Sequence, residues 1–321
     1  MVSDRDNQEA EVSGGESVDP DRLHVPVLLE EVVDALDVCP GKAVFDGTVG
    51  FGGHAEAILS RIGQSGRFIG VDRDEEALEF TRVRLGRVDG SFFLFRGLFT
   101  QVRQALEGAG VTPEGGLDGI LLDLGVSSYQ LDVPERGFSF QRDGPLDMRM
   151  GPDEGVSAAE WLESASVEEI ETVLREFGEE PDARRIARAI DRRRRVRKIR
   201  RTGELAGIVE SVGRSRRPKI HPATKVFQAI RIQVNSELSE LRQFLGEVDR
   251  YLCPGGRLVV VSYHSLEDRL VKNVMKERLK DGIFEKIKPA LVRPAPEEIR
   301  ENPRSRSARL RVALRRRERP D

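Results

Sequence analysis

Three aspartates in the first half of the chain each end a short apolar run. Asp46 closes Ala43-Val-Phe, Asp72 closes Phe68-Ile-Gly-Val, and Asp123 closes Leu117-Asp-Gly-Ile-Leu-Leu. Runs of this kind read as buried strands, so each acid falls at a strand end. Between the first two lies Gly47-Thr-Val-Gly-Phe-Gly-Gly-His54, followed by the helix-forming Ala55-Glu-Ala-Ile-Leu59. Glycines in such a turn let the backbone bend sharply and approach a ligand with no Cβ in the way. An acid at the tip of the second strand, about 20 residues beyond the turn, is placed to accept hydrogen bonds from ribose hydroxyls. Glycine clusters by themselves mark ordinary loops. Strand, turn, helix and a second strand ending in an acid point to a nucleoside-type ligand.

The spacing differs from the dinucleotide fingerprint. That pattern, G-x-G-x-x-G, seats a pyrophosphate at the helix N-terminus. Here the order is Gly47-x-x-Gly50-x-Gly52-Gly53, with Asp46 in the turn. An acid there repels a pyrophosphate and attracts a cationic ligand. S-adenosylmethionine carries ribose, adenine, a sulfonium and an α-amino group, and it suits Asp46 and Asp72 better than NAD does. Asp46 has a second reading, as a helix cap or loop brace.

These acids need a sheet to hold them. Val32, Leu36 and Leu28 or Leu29 share one helical face ahead of the first strand; Glu75 to Leu85 reads as a helix, Ser91 to Phe95 as a strand, and Thr100 to Leu106 as a helix. Strands alternating with helices give a parallel, doubly wound, Rossmann-like α/β sheet with ligands at the strands' C-terminal edge. Val126 to Gly151 breaks the pattern. It mixes Phe138, Phe140, Met148 and Met150 with many charges, and reads as a loop that covers a ligand.

An all-helical module follows. Ser157-x-x-Glu160 and Ser166-x-x-Glu169 have the form of capping boxes. Pro181 opens a very basic helix running to Arg201, with Ile186 and Ile190 as its apolar points. From Phe227 to Leu252 apolar residues step by three and four, which predicts one long amphipathic helix. Arg257 to Tyr263 is a fifth strand, and His264-Ser-Leu-Glu-Asp268 starts another helix. Near the C-terminus Leu310, Val312 and Leu314 alternate with Arg309 and Arg311, predicting a last, antiparallel strand. The expected division is an acidic disordered tail over 1–22, an α/β domain over 23–135 and 222–321, and an inserted helical domain over 136–221.

The bulk numbers narrow the classes. The 321 residues carry a formal net charge of −3, so any nucleic-acid surface must come from local charge. Two cysteines, Cys39 and Cys253, lie far apart, which excludes a disulfide framework and a cysteine-rich zinc site and fits a reducing cytoplasm. The four histidines lack metal-ligand spacing, so no metal is expected. No apolar stretch approaches the roughly 20 residues of a membrane span, and no signal pattern opens the chain.

Assembled, these motifs resemble the bacterial ribosomal RNA small subunit methyltransferase H family, of MraW type. The resemblance is carried by His24-Val-Pro-Val-Leu-Leu, Asp46 to His54, Gly70-Val-Asp-Arg-Asp74 and Asp123-Leu-Gly-Val-Ser-Ser-x-Gln-Leu-Asp132, and by Arg136-Gly-Phe-Ser-Phe140 and Gly144-Pro-Leu-Asp-Met-Arg149. His221-Pro-Ala-Thr224, Val234-Asn-Ser-Glu-Leu238 and His264 to Asp268 complete it. It implies S-adenosylmethionine-dependent methylation of the 4-amino group of a cytidine in 16S rRNA, within the 30S subunit, by a Rossmann-like class I sheet with an inserted helical domain. It also implies cofactor contacts: Gly52, Gly53 and His54 around the methionine part, Asp72 at the ribose, Phe99 near the adenine, and Asp123 and Gln130. The chain departs from the family pattern at Tyr129, Gln233 and Tyr263.

Methyl transfer to a cytosine amine asks for alignment and for acceptors aimed at the amine hydrogens, rather than for strong base catalysis. Asp123 is the first candidate, with His264 and Asn235 behind it. Arg184, Arg188, Arg192 and Arg195 on the basic helix are the candidate RNA contacts, because arginine pairs bidentately with phosphate; a merely solvated face is the plainer reading. Two other classes compete: an NAD-dependent oxidoreductase, which the glycine spacing and Asp46 oppose, and a ribosome-assembly factor that keeps the cofactor only for structure. The second would be expected to lose Asp72 or the glycine turn, and both are intact.

Overall fold

The computed structural model describes residues 26–212 and 221–317; the expected tail over 1–22 and His24 lie outside them. The first half alternates strictly: α1 (Leu29–Leu36), β1 (Ala43–Asp46), α2 (Gly53–Ile62), β2 (Arg67–Asp72), α3 (Glu75–Leu85), β3 (Phe92–Arg96), α4 (Val102–Gly108) and β4 (Leu117–Asp123). A short α5 (Ser128–Asp132) precedes four helices, α6 (Ala158–Ser164), α7 (Val167–Glu176), α8 (Ala183–Val196) and α9 (Thr202–Val212). Then come α10 (Ala223–Asn235), α11 (Glu237–Tyr251), β5 (Leu252–Ser262), α12 (Ser265–Lys280), β6 (Phe284–Glu285), β7 (Leu291–Val292), α13 (Pro296–Glu301) and β8 (Arg309–Arg315).

The sheet order is β3-β2-β1-β4-β5-β8-β6, with β7 also on β8. The first five strands are parallel. β8 runs antiparallel to β5, as its alternating pattern predicts, and β6 and β7 cover its far edge. The chain steps outward from β1 to β3, returns to the other side of β1 for β4, and so leaves a crevice at the C-terminal edge between β1 and β4.

Alternate strand residues feed two cores. Phe45, Ile69, Ile120, Leu122, Leu258 and Val260 pack with α4 and α11. Val44, Phe68, Leu121, Val259 and Val261 pack with α1 and α2 on the other face. A third core belongs to α6 through α10.

Two expectations need correction. The long helix predicted from Phe227 to Leu252 is two helices, α10 and α11. They break at Ser236, whose φ of 55° is left-handed. The apolar steps carry through the break, so they conceal it. Val226, Phe227 and Ile230 of α10 pack in the helical core, whereas Leu241, Leu245 and Val248 of α11 pack under the sheet. By packing, α10 thus sides with the helices rather than with the 222–321 segment to which it was assigned. The second correction concerns the loop after β4. Phe138, Leu146 and Met148 are buried in the helical core, and Phe140 and Met150 pack against it. Its large apolar side chains therefore pack into or against that core.

Candidate active site

Asp46, Asp72 and Asp123 end β1, β2 and β4, neighbouring strands in the order β2-β1-β4. Parallel strands put all three at the same edge. Asp46 is buried, and its Oδ1 accepts from the Thr48 amide at 3.0 Å and from the Thr48 hydroxyl at 3.4 Å. The Thr48 oxygen in turn accepts the Asp123 amide at 2.6 Å, which ties the β1 tip to the β4 tip. The bracing role foreseen for Asp46 is thus present. Asp72 organises the glycine turn: its Oδ2 accepts the Gly50 amide at 2.8 Å and its Oδ1 the Asp74 amide at 3.0 Å.

The glycines fit this crowding. Gly52 caps α2 at φ 79°, a left-handed conformation that other residues rarely adopt. A Cβ on Gly47 would lie 2.6 Å from Leu122 and 2.7 Å from Phe99 Cβ. Phe99 follows β3, and its ring meets Phe244 edge-on at 5.5 Å. Gly47 thereby lets Phe99 sit against the β1 tip.

Asp123 has two different faces. Its Oδ1 accepts the Tyr263 hydroxyl at 2.9 Å, from the end of β5. Its Oδ2 lies 3.6 Å from His54 Nδ1. His54 Nε2 is 3.1 Å from the Val27 carbonyl, which only accepts, so Nε2 carries the proton and Nδ1 the lone pair. Burial pulls the imidazole down to about 4, leaving it neutral.

Burial pushes the Asp46 carboxyl up to about 8, and the Asp123 and Asp72 charges add to that. Burial raises Asp72 as well, against the amides that stabilise its charge. Asp123 is pushed up to about 7 by burial, opposed by the Tyr263 hydroxyl. Among the described residues, no lysine or arginine pairs with any of the three. Three converging carboxylates without a protein cation fit a cationic ligand. The sulfonium and ammonium of S-adenosylmethionine would supply such a charge, and Asp72 has lone pairs beyond those that accept the Gly50 and Asp74 amides.

The remaining candidates hold structure. Gln130 closes a capping box on α5, its Oε1 accepting the Ser127 amide at 3.0 Å, and so shapes the chain leaving β4. Asn235 is buried with its amide saturated: Nδ2 donates to the Met148 and Arg231 carbonyls at 2.7 and 2.9 Å, and Oδ1 accepts the Met150 amide at 2.8 Å. These bonds make Asn235 a clamp on Met148 and Met150, using both of its N–H groups and one of the two lone pairs of Oδ1. His264 caps α12, accepting the Glu267 amide on Nδ1 at 3.4 Å. Its Nε2 lies 3.1 Å from Glu267 Oε1 without hydrogen-bond alignment. Glu237, His264 and Glu267 come close enough to suggest metal ligands, a grouping not foreseen from the histidine spacing. Arg231 already donates two 2.8 Å bonds to Glu237, so that charge is met within the protein. Tyr263 was not among the predicted site residues; the sequence marks it by its place at the end of the β5 run and as a departure from the family pattern.

On α8, Arg184, Arg188 and Arg192 are exposed at successive turns and have no ion-pair partner among the described residues. Arg195 is exposed but pairs with Asp191 at 2.8 Å. Arg194 turns inward and donates to the Leu162 and Ala165 carbonyls.

The MraW methylase family matches residues 21–316. The chain is 48% identical to a ribosomal RNA small subunit methyltransferase H from Thioalkalivibrio sulfidiphilus, over 92% of this chain and 98% of that one. It is 45% identical to proteins of the same name from Agrobacterium fabrum, over 94% and 91% of the two chains, and from Coxiella burnetii, over 90% and 97%.

Proposed function

The chain belongs to the MraW methylase family, and from that premise we propose that it methylates the 4-amino group of a cytidine in 16S rRNA, with the assembled 30S subunit as substrate. The observation that carries the reading is the set of three strand-tip carboxylates left without a protein cation beside a glycine turn. S-adenosylmethionine, when bound, supplies an electrophilic methyl group on a sulfonium. Gly52, Gly53 and His54 shape the turn around its methionine part, Asp72 holds the ribose hydroxyls, and Phe99 stands by the adenine. Asp46 lies too deep to touch substrate and braces the β1 tip through Thr48.

Asp123 faces the acceptor. The cytosine amine is neutral, with its lone pair delocalised into the ring, so it must be aligned and rehybridised rather than deprotonated first. As nitrogen gains charge, its hydrogens become stronger donors, and Asp123 Oδ2 is the acceptor whose interaction grows toward the transition state. A carboxyl near 7 is also suited to receive the proton that the methylated nitrogen sheds. His54, neutral and held by Val27, walls the other side of Oδ2.

Arg184, Arg188 and Arg192 supply a row of phosphate contacts on the helical module, and the target base leaves its stack to reach the strand tips. No helix among the described residues is long and apolar enough to cross a membrane; ribosomal RNA as substrate places the protein in the cytoplasm. The substrate form is tested by offering labelled S-adenosylmethionine with 30S subunits or with naked 16S rRNA, both from cells that lack this methylation. Label in 30S subunits is expected. Label only in naked rRNA would overturn the assembled-subunit assignment.

A further inference from the structure

Of the described groups around Asp123, only Tyr263 touches its carboxylate with a proton donor. The Tyr263 hydroxyl donates to Oδ1 at 2.9 Å. The other titratable neighbours make no hydrogen bond to it among the described residues. From β1 comes Asp46, itself an acid. From α2 comes His54, neutral, with its Nδ1 lone pair 3.6 Å from Oδ2. From α12 comes Glu267, whose negative charge disfavours the carboxylate. The Tyr263 ring is fixed by its surroundings. The ring packs beside Gly125, just past the end of β4 and at φ 96°, where an added Cβ would sit 3.4 Å away, at ordinary contact distance. The Tyr263 amide donates to Glu267 Oε2 at 2.9 Å, anchoring the backbone below the ring.

We propose that Tyr263 is a positioning residue for methyl transfer: by holding Asp123 Oδ1 it turns Oδ2 toward the acceptor amine. The proposal rests on the reading of Asp123 as the amine's acceptor. In this proposal Tyr263 acts through Asp123, the one side chain that its hydroxyl contacts among the described residues. A hydrogen bond to a carboxylate favours its charged form, and losing that bond raises the pH at which the group ionises. Activity that needs the carboxylate then sets in at higher pH.

The test compares pH profiles of kcat for the wild type, Tyr263→Phe and Asp123→Asn on the same RNA substrate, together with calorimetric titration of S-adenosylmethionine. Tyr263→Phe keeps the ring against Gly125, so the fold is preserved. Its acidic limb is expected to move up by about one pH unit or more, the scale of a hydrogen bond to a charged group. Above the limb its kcat should recover to within a few-fold of wild type, with cofactor affinity within about twofold. An unmoved limb would overturn the proposal, as would a kcat lowered equally at every pH. Asp123→Asn separates the two layers. If it loses most activity and the acidic limb, the reading of Asp123 stands and Tyr263→Phe decides the proposal. If Asp123→Asn works as well as wild type, the reading itself fails and the proposal with it.

Discussion

Arg136 donates a 2.6 Å hydrogen bond to Asp74 Oδ2, and the pair is nearly sealed from solvent, at 12% and 3% side-chain exposure. The same guanidinium donates to the Arg149 and Met150 carbonyls. Asp74 caps α3 and gives its own amide to Asp72. One arginine thus fastens the loop after β4 to the strand tip that carries Asp72. Removing one partner of such a pair leaves the other charge buried and costs about 3–5 kcal/mol. Arg136→Ala should lower unfolding free energy by that amount in denaturant titration and weaken S-adenosylmethionine binding; wild-type stability would show that the loop is not held this way.

Asp72 should govern cofactor affinity. Its two oxygens are already oriented by Gly50 and Asp74 amides. Asp72→Asn removes the charge and turns one acceptor into a donor. Calorimetry should show S-adenosylmethionine binding weakened about 10- to 100-fold, the worth of one or two hydrogen bonds to a charged group.

Stability of the ligand-free protein should fall as pH rises from about 6.5 to about 8. Asp46 stays protonated up to about 8 and Asp123 up to about 7 when folded, whereas an unfolded chain ionises aspartate near 3.9. The folded state therefore binds more protons across that span, and raising the pH favours unfolding. His54 acts in the opposite sense, because its folded value of about 4 lies below its ordinary one; its contribution to the slope is halved at about pH 6.5 and fades about one unit higher, so the two aspartates outweigh it across this span. Thermal melts between pH 6.5 and 8.5 should show the decline, and Asp46→Asn should flatten it.

Arg184, Arg188 and Arg192 should bind RNA electrostatically. Replacing all three by alanine should weaken RNA binding and flatten its salt dependence, by about 0.7–0.9 in the log–log slope for each phosphate no longer neutralised. Cofactor affinity should stay at the wild-type value. Arg195→Ala should do less, because Asp191 already holds that side chain.

The sheet was legible because each strand is a short apolar run with a turn after it, and because the acids stand at the ends of those runs. The two serine–glutamate boxes that begin α6 and α7 were legible for the same reason, since both partners lie three residues apart. What depends on residues distant in sequence was not. Tyr263 meets Asp123 across 140 residues, through β4–β5 pairing that no local pattern encodes. Ser236 breaks a continuous apolar stripe without glycine or proline to mark the place. Phe138 and Met148 read as ligand-facing because nothing nearby in sequence shows the helical core that takes them. Asn235 read as a catalytic candidate because its three backbone partners reach it mostly from Met148 and Met150.

The most direct test of the account is methyl incorporation from labelled S-adenosylmethionine into 30S subunits from cells lacking this methylation, with the modified nucleoside identified by mass spectrometry. The account predicts N(4)-methylcytidine at a single 16S rRNA position, lost in Asp123→Asn and restored in Asp72→Asn only at raised cofactor concentration. A protein that binds S-adenosylmethionine yet labels neither 30S subunits nor naked 16S rRNA, or that places the methyl group on another atom, would contradict it.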